Sequence, residues 1–138
     1  MKTGKGFTII ELMLTILIVS ILAAVAIPIM RGEIDLARWS EGKGIMGTLA
    51  VAIRTYAAEK GESGNYGTDR PSIAELGFTG SEFTGTYFTT SNFSWVTSFS
   101  NTADPPLTFT ITTDNVGTGI FTPSQITLDH TGKWTVTP

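Results

Sequence analysis

Residues 5–12 read Lys5-Gly6-Phe7-Thr8-Ile9-Ile10-Glu11-Leu12, and no charged residue follows until Arg31. A helix over residues 7–30 would be about 36 Å long, enough to cross a hydrocarbon core of about 30 Å. Glu11 is the exception inside that segment. A charge in mid-membrane costs on the order of 3 kcal/mol, somewhat less near a helix start, so the acid calls for a partner. The fold turns on whether this apolar helix stays in the protein or is cut away from it.

Downstream, Pro28 cannot donate to the carbonyl of Ala24, so it kinks or loosens the helix. Gly32, Gly42, Gly44 and Gly47 each weaken it by roughly 1 kcal/mol relative to alanine. Beyond Pro28 the pattern turns amphipathic: Ile45, Leu49, Ile53, Tyr56 and Ala57 recur at spacings of three and four and form one apolar face to about Glu59. Arg31, Glu33, Asp35, Arg38, Glu41 and Lys43 are expected as solvated helix surface, with charge pairing between neighbouring subunits as the functional alternative. Lys60-Gly61, followed by Glu62-Ser63-Gly64-Asn65, marks the helix end.

In Pro71-Ser72-Ile73-Ala74-Glu75-Leu76-Gly77 a serine cap, an acid three residues later and a glycine predict a short helix. From Thr79 onward Thr and Ser alternate with aromatic and β-branched residues, which predicts short strands over 86–90, 93–99, 107–113, 119–122, 125–129 and 133–137. Leu107, Phe109 and Ile111 should share one sheet face, and Trp134 and Val136 another shared face. The expected fold class is α+β: a long N-terminal helix, half apolar and half amphipathic, packed on a small antiparallel β-sheet head.

The 138 residues suffice for one head plus an extended element. There is no cysteine, which excludes disulfides, thiolate nucleophiles and cysteine-ligated metals. Net charge is -3, and from Ser72 to Pro138 the only Lys or Arg is Lys133, against Glu75, Glu82, Asp104, Asp114 and Asp129. Such an acidic head has no electrostatic grip on nucleic-acid phosphates.

Three readings fit the N-terminus. A secretory signal peptide would use Lys2 and Lys5 as its charged region and end at Ala24-Val25-Ala26, releasing a soluble secreted binding domain, but Glu11 falls inside its apolar core and the run exceeds the usual 7 to 15 residues or so. A plain single-pass anchor with cytoplasmic lysines leaves Glu11 unexplained. The third rests on resemblance. Lys5 to Leu12, with Ile21-Leu22-Ala23-Ala24-Val25-Ala26-Ile27-Pro28, resembles the start of a bacterial type IV pilin or type II secretion pseudopilin, with the glycine, aromatic, acid and proline at the family's spacing. The resemblance covers about the first 30 residues.

It implies that a prepilin peptidase cuts after Gly6 and methylates the amine of Phe7, and that the inner-membrane assembly machinery builds a homo-oligomeric helical filament, with Phe7, Glu11 and Pro28 as assembly residues. The organisation becomes a leader at 1–6, an apolar transmembrane and assembly helix at 7–30, an amphipathic half at 31–60, a connecting loop with a short helix at 61–83, and a sheet head at 84–138. Cleavage would create a positive amine on Phe7, at i−4 from Glu11 and on the same helix face. In one chain the two can pair; the resemblance implies that Glu11 of an incoming subunit meets the Phe7 amine of its neighbour, which sets axial register. It further implies that the stretch near Pro28 melts or extends in the filament; a kinked but hydrogen-bonded helix is the alternative for the single subunit. The family often closes its C-terminal region with a disulfide, which this chain cannot form, so the head should be of modest stability.

No catalytic constellation emerges, and no enzyme, cofactor or metal is expected. The single histidine, His130, sits in a turn beside Asp129. Asp114 and Asn115 can touch a calcium ion, but a plain turn explains them. Phe7, Trp39 and Tyr56 are expected as packing between subunits rather than a conducting stack, and nothing decides whether surface Thr and Ser carry glycans. The expected location is the inner membrane for the precursor and the cell surface for the filament. Within the family, a secretion pseudopilin is the alternative to a pilus subunit; adhesion, motility, DNA uptake and secretion all stay open.

Overall fold

The computed structural model describes residues 6–60 and 71–138. The expected leader, apart from Gly6, and the turn chemistry of 61–65 lie outside the described residues. The chain divides between Ile34 and Asp35 into two compact units.

A single helix, α1, runs Ile9–Lys60 with Pro28 inside it. The helix is thus continuous through Pro28 in the single chain, the alternative expected for the isolated subunit. In the second unit α1 buries Trp39, Gly42, Met46, Leu49, Ala50, Ile53 and Ala57. That is the stripe anticipated from Leu49 and Ile53, rotated slightly so that Ile45 and Tyr56 lie at its margin.

The sheet is a four-stranded antiparallel meander: β1 Phe93–Phe99, β2 Leu107–Asp114, β3 Gln125–Asp129 and β4 Trp134–Thr137. Strand alternation sends one face to the core. Register lines up two rows across it, Trp95–Ile111–Leu128–Trp134 and Phe93–Thr113–Ile126–Val136. Both rows are buried until they reach β4, where Trp134 is 40% and Val136 54% exposed. The outer face is chiefly Thr and Ser.

Two predicted strands are absent. Residues 86–90 form a bend that enters a short 3-10 turn, Thr90–Asn92, and 119–122 belong to an irregular loop. In both places backbone N–H groups that a strand would have spent on a neighbour are turned toward a carboxylate of α1. Glu41 accepts from the N–H groups of Thr86 (3.1 Å), Tyr87 (2.9 Å) and Phe88 (3.0 Å). Asp35, 5% exposed, accepts from Phe121 (3.0 Å) and Thr122 (3.3 Å) and lies 3.7 Å from Arg38, which donates to the Gly119 carbonyl. Half of the segment expected as solvated surface thus ties loops of the head to the helix.

Two glycines make room for these contacts. A Cβ on Gly85 would overlap the Glu41 carboxylate, and one on Gly42 would lie 3.1 Å from the Phe88 ring. That ring sits 4.9 Å from Trp39, which is fully buried. Trp39 is therefore core of its own head, which corrects its expected place between subunits.

The expected short helix at 71–77 is one capped turn. Ser72 and Glu75 form a reciprocal capping box, with Ser72 N–H donating to Glu75 (2.7 Å) and Glu75 N–H to the Ser72 hydroxyl (3.3 Å). Gly77, at φ 84°, stops it, and the Phe78 N–H bonds back to the Ile73 carbonyl at 3.0 Å. Start and stop signals lie too close together for a second turn. The buried indole of Trp95 donates to the Pro71 carbonyl at 3.1 Å and fastens this turn to the sheet.

Candidate functional site

Gly6 and Phe7 precede α1 in non-helical, exposed backbone, and Thr8 stands at the entrance of the helix. Its carbonyl accepts from the Leu12 N–H at 3.2 Å and closes the first turn. The Glu11 side chain folds back on it. Glu11 Oε2 accepts from the Thr8 N–H (3.0 Å) and the Thr8 hydroxyl (2.8 Å), while the Glu11 N–H donates to Thr8 Oγ1 at 3.3 Å. This is a capping box, in which threonine and glutamate satisfy orphan donors at the helix start.

The acid therefore has a partner within its own chain, one that reading it only against the Phe7 amine had missed. The signal was legible as Thr-x-x-Glu at 8–11. Both carboxylate bonds end on Oε2, and neither neutralises the charge. The Phe7 nitrogen is here an amide joined to Gly6 and carries no charge. Phe7 and Glu11 are brought within one turn of each other by chain position, whereas Pro28 lies well down the helix from both.

Every large apolar side chain from Phe7 to Met30 is between 47% and 80% exposed. None of the apolar window long enough to span a bilayer is buried. A soluble domain would not leave such a surface uncovered. Beyond Thr8, its hydroxyls bond to the helix backbone: Thr15 donates to the Leu12 carbonyl (2.8 Å) and Ser20 to the Leu17 carbonyl (2.7 Å), which removes the cost of facing lipid with an unpaired O–H.

The candidates in the head take structural roles. Asp129 accepts from the N–H groups of Thr131 and Lys133 and from the Thr131 hydroxyl. That hydroxyl foremost, with the Lys133 amide, holds its carboxyl below the ordinary aspartate range. His130 lies in that turn, and its carbonyl accepts from Arg54 at 3.3 Å. Asp114 accepts from Asn92 (3.0 Å) and from the Val116 N–H (3.1 Å). Asn115 donates to the Ile120 carbonyl at 2.9 Å. Asp114 closes β2, and Asn115 opens the hydrogen-bonded turn that follows it. Among the described residues, no three His, Cys, Asp or Glu side chains stand close enough to hold a metal ion.

Comparison with known proteins agrees with the N-terminal geometry. A family model described as the prokaryotic N-terminal methylation motif matches residues 1–27. The fimbrial protein EcpC of Eikenella corrodens is 40% identical over 60 residues, which make up 44% of this chain and 39% of that protein. The match thus spans well under half the length of the curated relative. No solved structure matches the chain.

Proposed function

We propose that this chain, which carries the N-terminal methylation motif of prokaryotic pilins, is a structural subunit of a type IV pilus. It is inserted in the inner membrane by residues 9–30, processed after Gly6 by a prepilin peptidase, methylated on Phe7 and polymerised by the inner-membrane assembly machinery. The observation that carries this reading is the uncovered apolar helix with its one carboxylate at the entrance. A surface of that kind has two good solvents, lipid and other copies of itself, and a transfer from one to the other is polymerisation. In the filament the apolar helices lie inside and the acidic, Thr-rich heads outside. A head-to-tail contact that does not close generates the fibre.

Glu11 gives the transfer its direction and register. While the chain is intact the carboxylate caps Thr8; once Phe7 carries a free amine, the Glu11 of an incoming subunit pairs with it in a neighbour. The similarity to a fimbrial protein supports a filament subunit; a secretion pseudopilin is the alternative reading within the same class.

The mass of the mature N-terminus tests this directly. A methylated chain beginning at Phe7 is the expected result. A chain beginning at Ile27 would mean that the apolar helix is a discarded signal and that the head is a soluble secreted domain.

A further inference from the structure

Among the described residues, the head shows two uncovered surfaces of opposite character. The first is the overhang of the sheet. Trp134 and Val136 end the two core rows on β4, point to the same side as buried Leu128 and Ile126, and are left 40% and 54% exposed. The charges beside it are basic: the Lys43 ammonium lies 6.0 Å from the Trp134 ring, and Arg54 sits on the same flank over Phe109 at 5.1 Å. Asp129 is the acid of the adjacent turn.

The second is a groove between α1 and residues 75–83. Two hollows of about 510 and 370 Å³ share Thr48 and Phe78 and so run together along the helix. Val51, 61% exposed, lies in its wall with Ala52 and Phe78. Its charged members are all acidic: Glu41, Glu59, Glu75 and Glu82. Lys60 is the base felt by Glu75.

At about 100° per residue, Lys43 and Arg54 project from one flank of the buried stripe of α1, and Ala52 and Glu59 from the other. The two surfaces therefore cannot meet within one chain. We infer that they meet between chains: the Trp134–Val136 ledge, with its basic rim, seats against the acid-rimmed groove of a second copy. Apolar surface faces apolar surface, and positive rim faces negative rim, which fixes orientation. Because the surfaces differ, the contact is heterologous and repeats without closing. This deepens the filament reading and rests on it.

Charge reversal in the full-length chain, expressed in its host, tests the contact. Filaments sheared from cells at low salt should be about fivefold scarcer for Lys43→Glu and for Glu59→Lys, with the membrane-held subunit unchanged, and the double variant should recover. Singles without effect, or a double no better than either, overturn the contact while parent filaments keep the pilus reading intact. If the parent chain forms no filament, both fall. The absence of native cysteine allows a second readout. A chain with Lys43→Cys and Glu59→Cys, treated with a flexible bis-maleimide, should give a ladder of multimers of itself. Filaments that yield only monomer, or conjugates only with another protein, overturn the contact.

Discussion

Replacing Glu11 with alanine is expected to abolish filaments while the membrane-held subunit persists at its normal level. The carboxylate is the only charge between Lys5 and Arg31. In lipid an unneutralised charge costs on the order of 3 kcal/mol, and that cost is relieved only where a positive group waits. At about 1.4 kcal/mol per tenfold, its relief favours the assembled subunit by about a hundredfold. Alanine carries no cost in lipid and so gains nothing by leaving it.

The capping box adds a competing account, because Glu11 also holds the first turn of α1 through Thr8. Glu11→Gln separates the two. Glutamine serves the same position of a capping box, so the helix start survives, but it brings no charge to a neighbour's amine. The glutamine variant should fail as alanine does, as read from sheared surface material against membrane-fraction subunit. Filaments at the parent level from Glu11→Gln would reduce the acid to a helix cap and remove the pairing step.

The architecture was legible where one residue pattern answered to one physical demand. The uncharged run to Met30 gave the apolar half of α1, period-two alternation in Leu107, Phe109 and Ile111 gave β2, and Leu49 with Ile53 gave the buried stripe. The apolar segment with its acid was readable for the same reason, since lipid tolerates few exceptions. What escaped were long-range bonds between a side chain and a backbone remote in sequence. Glu41 and residues 86–88 are joined by a carboxylate that replaces a strand partner, and residues 86–90 still look like a strand because their Thr and aromatic composition is that of one. Asp35 and the 119–122 loop repeat the same error. Gly42 reads as weak helix, although it marks a place where the Phe88 ring must come close.

Replacing Glu41 with alanine should be the most damaging single change among the polar contacts of the head. It removes the acceptor of three N–H groups, those of Thr86, Tyr87 and Phe88, and loosens the loop that presses Phe88 onto Trp39. Hydrogen bonds to a charged group contribute more than neutral ones. With a discount for the partly solvated carboxylate, the expected loss is about 2 kcal/mol, or roughly 10 °C in the melting of a head of this size. Full-length chain in detergent, followed by near-UV circular dichroism, reports it. Gly85→Ala should fall in the same direction, because the added Cβ takes the space of the carboxylate. The pH dependence carries a distinct signature. Burial raises the Glu41 pKa, but the Phe88, Tyr87 and Thr86 amides together outweigh it and hold the group below the ordinary glutamate value. A depressed folded pKa stabilises the head fully above the unfolded pKa, and the stabilisation is lost as pH falls through the folded one. The parent should thus lose stability on acidification below the ordinary glutamate range, and Glu41→Gln should lose less over that interval. Parallel acid curves for the two chains would show that the loop is held by its apolar contacts and that the carboxylate is incidental.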